Sequence, residues 1–308
     1  MAHKTPQPQD YTDQSYGGIL SFLRFPYSRD FEKADIAVIG VPYDLGTTNR
    51  PGARFGPRAL REQSSLVGEY EWGVWPWKYH LSSKNNVIDA GDVCDFTANP
   101  ERLTEELETF ADEILRHDTA LVSMGGDHFI SLPLLRAHVR KHGSLALIHF
   151  DAHSDTWADT EYNHGTMFYH AIQEGLIDVD HSIQIGIRTP NPDTFGMKII
   201  DAIELDRMTT KAVCKSIRDR VQNKKSYLTF DIDFLDPAYA PGTGTPVLGG
   251  PSVMRGRELL RGLQGLNITG GDLVEVAPAY DLPGAITALA GATLLCDILY
   301  LISEVRAL

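Results

Sequence analysis

Short segments rich in Val, Ile and Leu alternate along this chain with longer segments of helical periodicity. Continuous apolar character is typical of strands that are buried on both faces, as in a parallel sheet. We predict strands at residues 35–41, 86–90, 119–124, 145–150, 182–187, 198–201, 226–230 and 268–276. The alternation predicts an α/β fold, a three-layer αβα sandwich with a mostly parallel sheet of about eight strands.

Five segments carry apolar residues at helical spacing. They predict helices at residues 103–116, 132–142, 209–222, 252–265 and 285–305, with Thr209 and Ser252 as N-caps. Two Gly/Pro-rich stretches, residues 50–57 and 241–251, are predicted to be loops. Residues 1–18 are polar and rich in Pro and Gln, so we predict a flexible segment there. Because no repeat or linker is found, we predict a single domain at residues 19–308.

Charge and composition restrict the partners that we expect. The formal net charge of −13 disfavours a nucleic-acid partner and is compatible with a cationic substrate. The polar N-terminus and the lack of a long uninterrupted apolar run predict a cytoplasmic protein without a membrane partner. Cys94, Cys214 and Cys296 are odd in number and widely spaced, which predicts buried thiols rather than disulfides or a zinc site.

Three motifs with acidic and imidazole side chains follow predicted strands, where parallel sheets bind their ligands. They are MGGDH (124–128), HFDAHSD (149–155) and TFDIDFLDP (229–237). Taken singly, the first is compatible with a capping turn, the second with a solvated turn, and the third with the paired aspartates of a phosphotransferase. The candidate metal ligands in these motifs are His128, Asp151, His153, Asp155, Asp231 and Asp233.

The spacing of these residues favours a cation. In an extended backbone, Asp151, His153 and Asp155 point to the same side, and buried together they would repel without a cation. Six ligands can hold two divalent ions if two aspartates bridge. Carboxylates and imidazoles without a thiolate favour Mn²⁺ over structural zinc. Two such ions lower the pKa of a bound water toward roughly 7, which supplies hydroxide at neutral pH.

The motifs GGDH, DAHSD, DIDFLDP, GTGTP and EVAP together resemble the ureohydrolase family of arginases and agmatinases. The resemblance runs from GVPYD (40–44) and RPGARFGP (50–57) to the last helix, and is strongest to bacterial agmatinases through GGDHFISLPLLRAH, NHGTMFY and VEVAPAYD. It implies a catalytic domain with an arginase-like fold and two metal sites. The first would be held by His128, Asp151, Asp155 and Asp231, and the second by Asp151, His153, Asp231 and Asp233.

The resemblance also implies roles beyond the metal ligands. Glu275 would hold the guanidinium group of the substrate, and His164 would relay a proton. Asn163 and Thr245 would line the substrate site, and Asp127 would orient a ligand.

Two aromatic residues depart from the pattern of the family. Trp157 stands where arginases have an asparagine that contacts the amino-acid head group. An indole is a poor partner for a carboxylate, so this position disfavours arginine and favours agmatine, unless Trp157 belongs to the core. Phe234 stands where several relatives have a small residue, and either reshapes the pocket or fills the core.

The predicted reaction is hydrolysis of agmatine to putrescine and urea by a hydroxide that bridges two Mn²⁺ ions. The alternatives are another guanidino substrate such as 4-guanidinobutyrate, whose acidic tail Arg188 or Arg50 would contact, a metal-dependent phosphotransfer enzyme, and a non-catalytic binding protein. Relatives form trimers or hexamers, so the resemblance implies a homo-oligomer.

Overall fold

A computed structural model describes residues 15–69, 76–93 and 99–306 of the chain. In this part of the chain, eight strands form one sheet in the order β2-β1-β3-β8-β7-β4-β5-β6. Every pair of neighbouring strands is parallel. The strands are β1 (Ile36–Val41), β2 (Val87–Asp92), β3 (Ala120–Gly125), β4 (Ala146–Phe150), β5 (Ile183–Ile187), β6 (Lys198–Asp201), β7 (Ser226–Asp231) and β8 (Ile268–Val274).

All of the predicted strands are present, and the predicted parallel sheet is confirmed. The end of β8 was predicted wrongly, because the strand stops at Val274 and not at residue 276. The next residue, Glu275, has a φ of 64°, a left-handed conformation that turns the chain out of the sheet. The side chain of Glu275 therefore lies just beyond the strand end rather than on the strand.

The helices surround the sheet, and the five predicted ones are confirmed with shifted ends. The helices are α1 (Gly56–Glu69), α2 (Leu81–Lys84), α3 (Pro100–Arg116), α4 (Ser131–His142), α5 (Met167–Gln173), α6 (Ala202–Arg207), α7 (Thr210–Val221), α8 (Val253–Arg261) and α9 (Ile286–Arg306). Thr209 and Ser252 are N-caps as predicted, since their side chains accept hydrogen bonds from Ala212 N and Arg255 N. The prediction for α8 was four residues too long at its C-terminal end.

The sheet lies between two helical layers, which confirms the predicted sandwich. Alternate residues of β1 belong to different apolar clusters: Ile36 and Val38 pack on one face, and Ala37 and Ile39 pack on the other. The first cluster includes residues of α1, α7, α8 and α9, and the second includes residues of α3, α4 and α5. Both faces of the sheet are therefore buried, which explains the continuous apolar character of the strands.

Helix α9 is long and apolar enough to span a membrane, although Asp297 interrupts its apolar run. However, 83% of its most apolar window is buried inside the protein, as in the core helix of a globular domain. Cys214 and Cys296 are buried, as predicted, whereas Cys94 lies outside the described residues. The predicted flexible segment, residues 1–18, also lies mostly outside them, and the single domain stays a prediction.

Candidate metal centre

The candidate centre lies at the carboxyl ends of four adjacent strands, β3, β8, β7 and β4. Because all neighbours are parallel, the segments that follow these strands meet at one edge of the sheet. The segment after β3 carries His128, and the segment after β8 carries Glu275. The other candidate ligands follow β4 (Asp151, His153 and Asp155) or end and follow β7 (Asp231 and Asp233).

His128 is surrounded by three of the predicted ligands. Its Nδ1 atom lies 2.9 Å from Asp155 Oδ2, 3.1 Å from Asp151 Oδ2 and 3.3 Å from Asp231 Oδ2. These are the four residues that the resemblance assigns to the first ion. All four are buried.

His153 marks a second group on the other side of Asp151. Its Nδ1 atom lies 3.0 Å from Asp233 Oδ2 and 3.4 Å from Asp151 Oδ1. Donor atoms of Asp151, His153 and Asp233 all lie close enough together to hold one ion. Asp151 therefore faces both imidazoles, as a bridging carboxylate must.

Two Asx turns of the same type orient the aspartates. Asp151 Oδ1 accepts a hydrogen bond from His153 N at 2.6 Å, and Asp231 Oδ1 accepts one from Asp233 N at 2.7 Å. Each turn leaves the Oδ2 atom of its aspartate facing His128. The ligands thus converge through turns, and the expected extended backbone is wrong: Asp233 lies in a short 3₁₀ helix and Asp155 has a φ of 52°.

The glycine pair after β3 has a steric purpose. Gly126 N donates a hydrogen bond to Val41 O, and a Cβ atom at Gly126 would lie 2.0 Å from Tyr43 O. Only glycine fits this close approach of two backbone segments. Asp127 then accepts hydrogen bonds from Gly46 N and Phe129 N, which fixes the turn that carries His128. Asp127 therefore fixes the backbone of this turn, and its predicted role in orienting a ligand stays a prediction.

The electrostatics of the cluster fit a bound cation. Burial raises the pKa of Asp231 well above its ordinary value, and the nearby Asp233 and Asp151 raise it further. Burial lowers the pKa of His128, but the three facing carboxylates raise it well above its ordinary value. Moreover, His128 Nδ1 has no hydrogen-bond partner among the described residues. Positive charge at this atom, from a proton or a metal ion, offsets these repulsions.

His149 also reaches the cluster, although the sequence indicated no role for it. Its Nε2 atom lies 2.7 Å from Asp151 Oδ2, and its Nδ1 atom lies 3.0 Å from Gln184 Nε2. The Gln184 amide also donates to Ser154 O at 2.6 Å, which identifies its nitrogen. Because His149 Nδ1 accepts from this amide, Nε2 carries the proton and donates it to Asp151. His149 thus holds the predicted ligand Asp151 in place. The signal in the sequence is the alternation of His149, Asp151 and His153.

Glu275 joins the metal cluster to His164. Its Oε1 atom accepts hydrogen bonds from His128 N at 2.9 Å and from His164 Nδ1 at 2.8 Å. Its Oε2 atom is buried and has no partner among the described residues. The Nε2 atom of His164 accepts a hydrogen bond from Thr48 N at 3.0 Å and lies 2.7 Å from Thr48 Oγ1. Burial lowers the pKa of His164, but the carboxylates of Glu275, Asp127 and Asp155 together raise it to about 9.

A cavity of about 430 Å³ opens beside the cluster. The predicted substrate residues Trp157, Asn163 and Thr245 all line it, together with His164. Trp157 is 47% exposed, so its alternative assignment to the core is wrong. Phe234, in contrast, is fully buried against Phe150 and Phe230 and fills the core.

The two arginines considered for an acidic substrate tail have other partners. The guanidinium group of Arg188 donates to the main-chain oxygens of Gly186, Asp233 and Val247, among others. Arg50 donates to the main-chain oxygens of Thr243 and Gly244. Neither side chain lines the cavity beside the cluster.

The chain is similar to several known proteins. An agmatinase from Photorhabdus laumondii is 47% identical over 295 residues, which cover 94% of each chain. The crystal structure of a hypothetical agmatinase from Burkholderia thailandensis matches at a TM-score of 0.91 and 47% identity, covering 94% of this chain and 92% of that one. The structure of a proclavaminate amidino hydrolase from Streptomyces clavuligerus matches at 0.89 and 36% identity, covering 95% and 100%.

The arginase-family model matches residues 34–300, and with these relatives it confirms the resemblance seen in the motifs. Members of this family depend on metal ions, and the buried His/Asp cluster fits a metal site. The chain therefore belongs to the arginase family.

Proposed function

We propose that this chain hydrolyses agmatine to putrescine and urea at a centre of two Mn²⁺ ions. The observation that carries the proposal is the convergence of six carboxylate and imidazole side chains beside a buried, unpartnered oxygen of Glu275. Relatives called agmatinase, at 45–47% identity over nearly the whole chain, support the same reaction. Mn²⁺ is proposed because the donor set consists of carboxylates and imidazoles without a thiolate.

The assignment of ligands follows the two groups around the imidazoles, and Asp231 is added to the second group on the resemblance to the family. We assign the first ion to His128, Asp151, Asp155 and Asp231, and the second to Asp151, His153, Asp231 and Asp233. When bound, two divalent ions lower the pKa of water toward about 7 and stabilise negative charge that develops at the substrate. His149 keeps Asp151 in place through its Nε2–H group.

Glu275 is proposed to bind the guanidinium group. Its Oε1 atom is fixed by His128 N and His164 Nδ1, so the position of the carboxylate is set before substrate arrives. The unpartnered Oε2 atom can accept an N–H of the guanidinium group, and pairing of opposite charges strengthens that bond. This contact orients the electrophilic carbon toward the ligand cluster.

His164 is proposed to transfer a proton to the departing amine. Glu275 engages its Nδ1 atom, so Nε2 is the atom at which the proton is taken up and released. Thr48 Oγ1 lies 2.7 Å from Nε2, and both residues line the cavity. The proton can thus pass directly from the ring or across the Thr48 hydroxyl.

The lining of the cavity favours a cationic substrate tail. Trp157 offers an aromatic face, and the exposed carboxylate of Asp159 lines the same cavity. Among the described lining residues there is no lysine or arginine. The terminal ammonium of agmatine meets favourable charge here, whereas the carboxylate of arginine or 4-guanidinobutyrate meets like charge. One solved relative is called a proclavaminate amidino hydrolase. Its named substrate differs from agmatine, so we expect the part of the cavity that contacts the substrate tail to discriminate among substrates.

A panel of guanidino substrates tests the proposal. In the Mn²⁺-loaded protein, we expect agmatine to give the highest kcat/KM for urea release, ahead of 4-guanidinobutyrate and arginine. The variant Asp159→Asn should raise the KM for agmatine while leaving Mn²⁺ binding unchanged. A higher kcat/KM on 4-guanidinobutyrate would contradict the assignment of agmatine. Metal binding without urea release from any compound would favour a binding protein, and hydrolysis of phosphate esters alone would favour a phosphotransfer enzyme.

We also propose that the chain forms a homo-oligomer, a trimer or a hexamer, in the cytoplasm. The exposed side chains of Tyr16 and Ile19, at 90% and 86% exposure, are apolar surface that a subunit contact could bury. Light scattering of the purified protein measures the number of subunits directly, and a monomer would contradict the proposal.

A further inference from the structure

Behind His128, on the side away from the carboxylate cluster, lies a buried chain of polar side chains. His128 Nε2 lies 2.7 Å from Thr229 Oγ1, and Thr229 Oγ1 donates to Asp272 Oδ1 at 2.6 Å. All three side chains are at most 1% exposed. Thr229 lies on β7 and Asp272 lies opposite it on β8, so the chain crosses the centre of the sheet.

The partners of Asp272 determine the direction of each hydrogen bond. Its Oδ2 atom accepts from Tyr227 Oη and from Ser131 Oγ, both at 2.7 Å. The carboxylate thus accepts from three hydroxyl groups, and the single proton of Thr229 is committed to Asp272. The oxygen of Thr229 is therefore left to accept the Nε2–H of His128. This proton position leaves the lone pair of the ring on Nδ1, the atom that faces the predicted ligands.

We propose that Asp272 and Thr229 are positioning residues that select the ring tautomer of His128 in which Nδ1 binds a metal ion. The inference rests on the proposed metal centre and adds two residues that contact neither substrate nor ion. Partners of this kind fix the orientation and tautomer of metal-binding histidines in general. In His149, by contrast, the Nε2–H group points toward the candidate ligand Asp151 and not away from the cluster. The two rings lie only 5.2 Å apart.

Replacement of Asp272 by asparagine should reverse the direction of the hydrogen bonds from Asp272 through Thr229 to His128. The amide oxygen is best placed toward Tyr227 and Ser131, where it keeps two hydrogen bonds, so the amide nitrogen faces Thr229. Thr229 then accepts from the amide and donates its own proton to His128 Nε2. The remaining ring proton is forced onto Nδ1, where the ion has to bind. Asp272→Asn is thus a small change at a residue that does not line the cavity, with a specific effect on metal affinity.

The experiment compares Mn²⁺ dissociation constants, measured by calorimetry, with the position of the ring proton. Asp272→Asn and Thr229→Val should each weaken Mn²⁺ binding by about 10–100-fold, and Thr229→Ser should restore it because the hydroxyl is kept. Tyr227→Phe is the matched control, since it removes a hydrogen bond from the other oxygen of Asp272; it should lower stability but keep the wild-type affinity. ¹⁵N NMR of histidine-labelled, Zn²⁺-loaded wild type should show a proton on His128 Nε2.

Three results would overturn the inference. Asp272→Asn and Thr229→Val could bind Mn²⁺ as tightly as the wild type. Tyr227→Phe could weaken binding as much as Asp272→Asn, which would indicate a purely structural network. The NMR spectrum could place the proton of Zn²⁺-loaded His128 on Nδ1. If the wild type itself binds no Mn²⁺, the proposed function fails together with this inference; if only the variants behave unexpectedly, the proposed function stands.

Discussion

Glu275 combines a left-handed backbone, a buried side chain and a carboxylate oxygen without a partner. Each of these features costs free energy, and together they persist where the surrounding structure enforces them, as at binding sites. The turn at Glu275 is held by its own N atom, which donates to Gly126 O, and by the contact of its Oε1 atom with His128 N. The residue is thus fixed against the segment that carries the first candidate ligand.

Replacement of Glu275 by glutamine should abolish most turnover without loss of metal. The amide oxygen can keep both contacts of Oε1, so the amide nitrogen would occupy the Oε2 position and present N–H groups to a guanidinium that has only N–H donors. We expect kcat/KM for urea release to fall by about 10²–10³-fold, as for the loss of one charge-stabilising group. Glu161→Gln, in the same loop as His164 and exposed, is the control. Turnover of Glu275→Gln at the wild-type rate would contradict the assigned role.

The sequence predicted residues of the site better than it predicted their geometry. Asp151 and Asp231 could be found because acidic residues at the end of an apolar strand are unusual. Their orientation could not, because it depends on Asx turns and on the contact with His128 rather than on strand alternation. Thr229 and Asp272 were missed because a polar residue inside a strand shows nothing of its partner on a neighbouring strand until the strand order is known.

At the scale of elements, helix α4 carries an imidazole that should make stability depend on pH. His138 is fully buried, its Nδ1 atom lies 2.8 Å from Leu134 O, and its Nε2 atom has no partner among the described residues. Burial lowers the pKa of His138 to about 4, with a partly opposing effect of the backbone hydrogen bond. Because the ordinary pKa is 6.5, the unfolded chain takes up the proton first as the pH falls. The contribution of neutral His138 to the free energy of unfolding is complete above pH 6.5 and is lost between pH 6.5 and about 4.

His138→Leu should therefore reduce the acid sensitivity of the fold. Between pH 7 and pH 5, the free energy of unfolding of the wild type should fall by about 2 kcal/mol more than that of the variant. Chemical denaturation at the two pH values measures this difference. Between pH 8 and pH 7 the free energy of unfolding should change equally in the wild type and the variant, since the ring of His138 is neutral in both the folded and the unfolded chain. An equal pH dependence of wild type and variant would contradict the assignment.

Helices α8 and α9 are joined by a buried ion pair. Asp297 on α9 is 1% exposed and accepts hydrogen bonds from Arg257 Nε and Arg261 Nε of α8, at 2.9 Å and 3.1 Å. Asp297→Ala should cost about 3–5 kcal/mol of unfolding free energy, because two guanidinium groups lose their buried partner. Asp219→Ala breaks the exposed pair of Asp219 with Lys215 on α7 and should cost only about 0–1 kcal/mol. Similar losses for the two variants would show that the pair does not stabilise the packing of α8 against α9.

The strands were predictable because burial on both faces leaves a continuous apolar signal in the sequence. Helices α1, α2, α5 and α6 were missed for different reasons. Helix α1 begins in a Gly/Pro-rich stretch that reads as a loop, although proline is tolerated in a first helical turn. The other three are at most seven residues long, too short to display helical periodicity.

At the scale of the whole molecule, the parallel sheet brings the residues of the site together. The four strands that supply the site are adjacent in space, although β3 and β8 are separated in the chain by more than a hundred residues. The sequence predicted that the strands were parallel, but not their order, because loop lengths and apolar patterns do not determine which crossovers form. The order is what brings the segments after β3, β4 and β7 to one point. A net charge of −13 then favours the approach of a cationic substrate.

We propose that these segments hold two divalent ions and that hydrolysis depends on both of them. The most direct measurement is a Mn²⁺ titration of chelator-treated protein, with bound metal and urea release from agmatine determined on the same samples. We predict that turnover is absent in the metal-free protein, rises as Mn²⁺ binds and saturates at two ions per chain. Full turnover in protein that carries no bound metal would contradict the account.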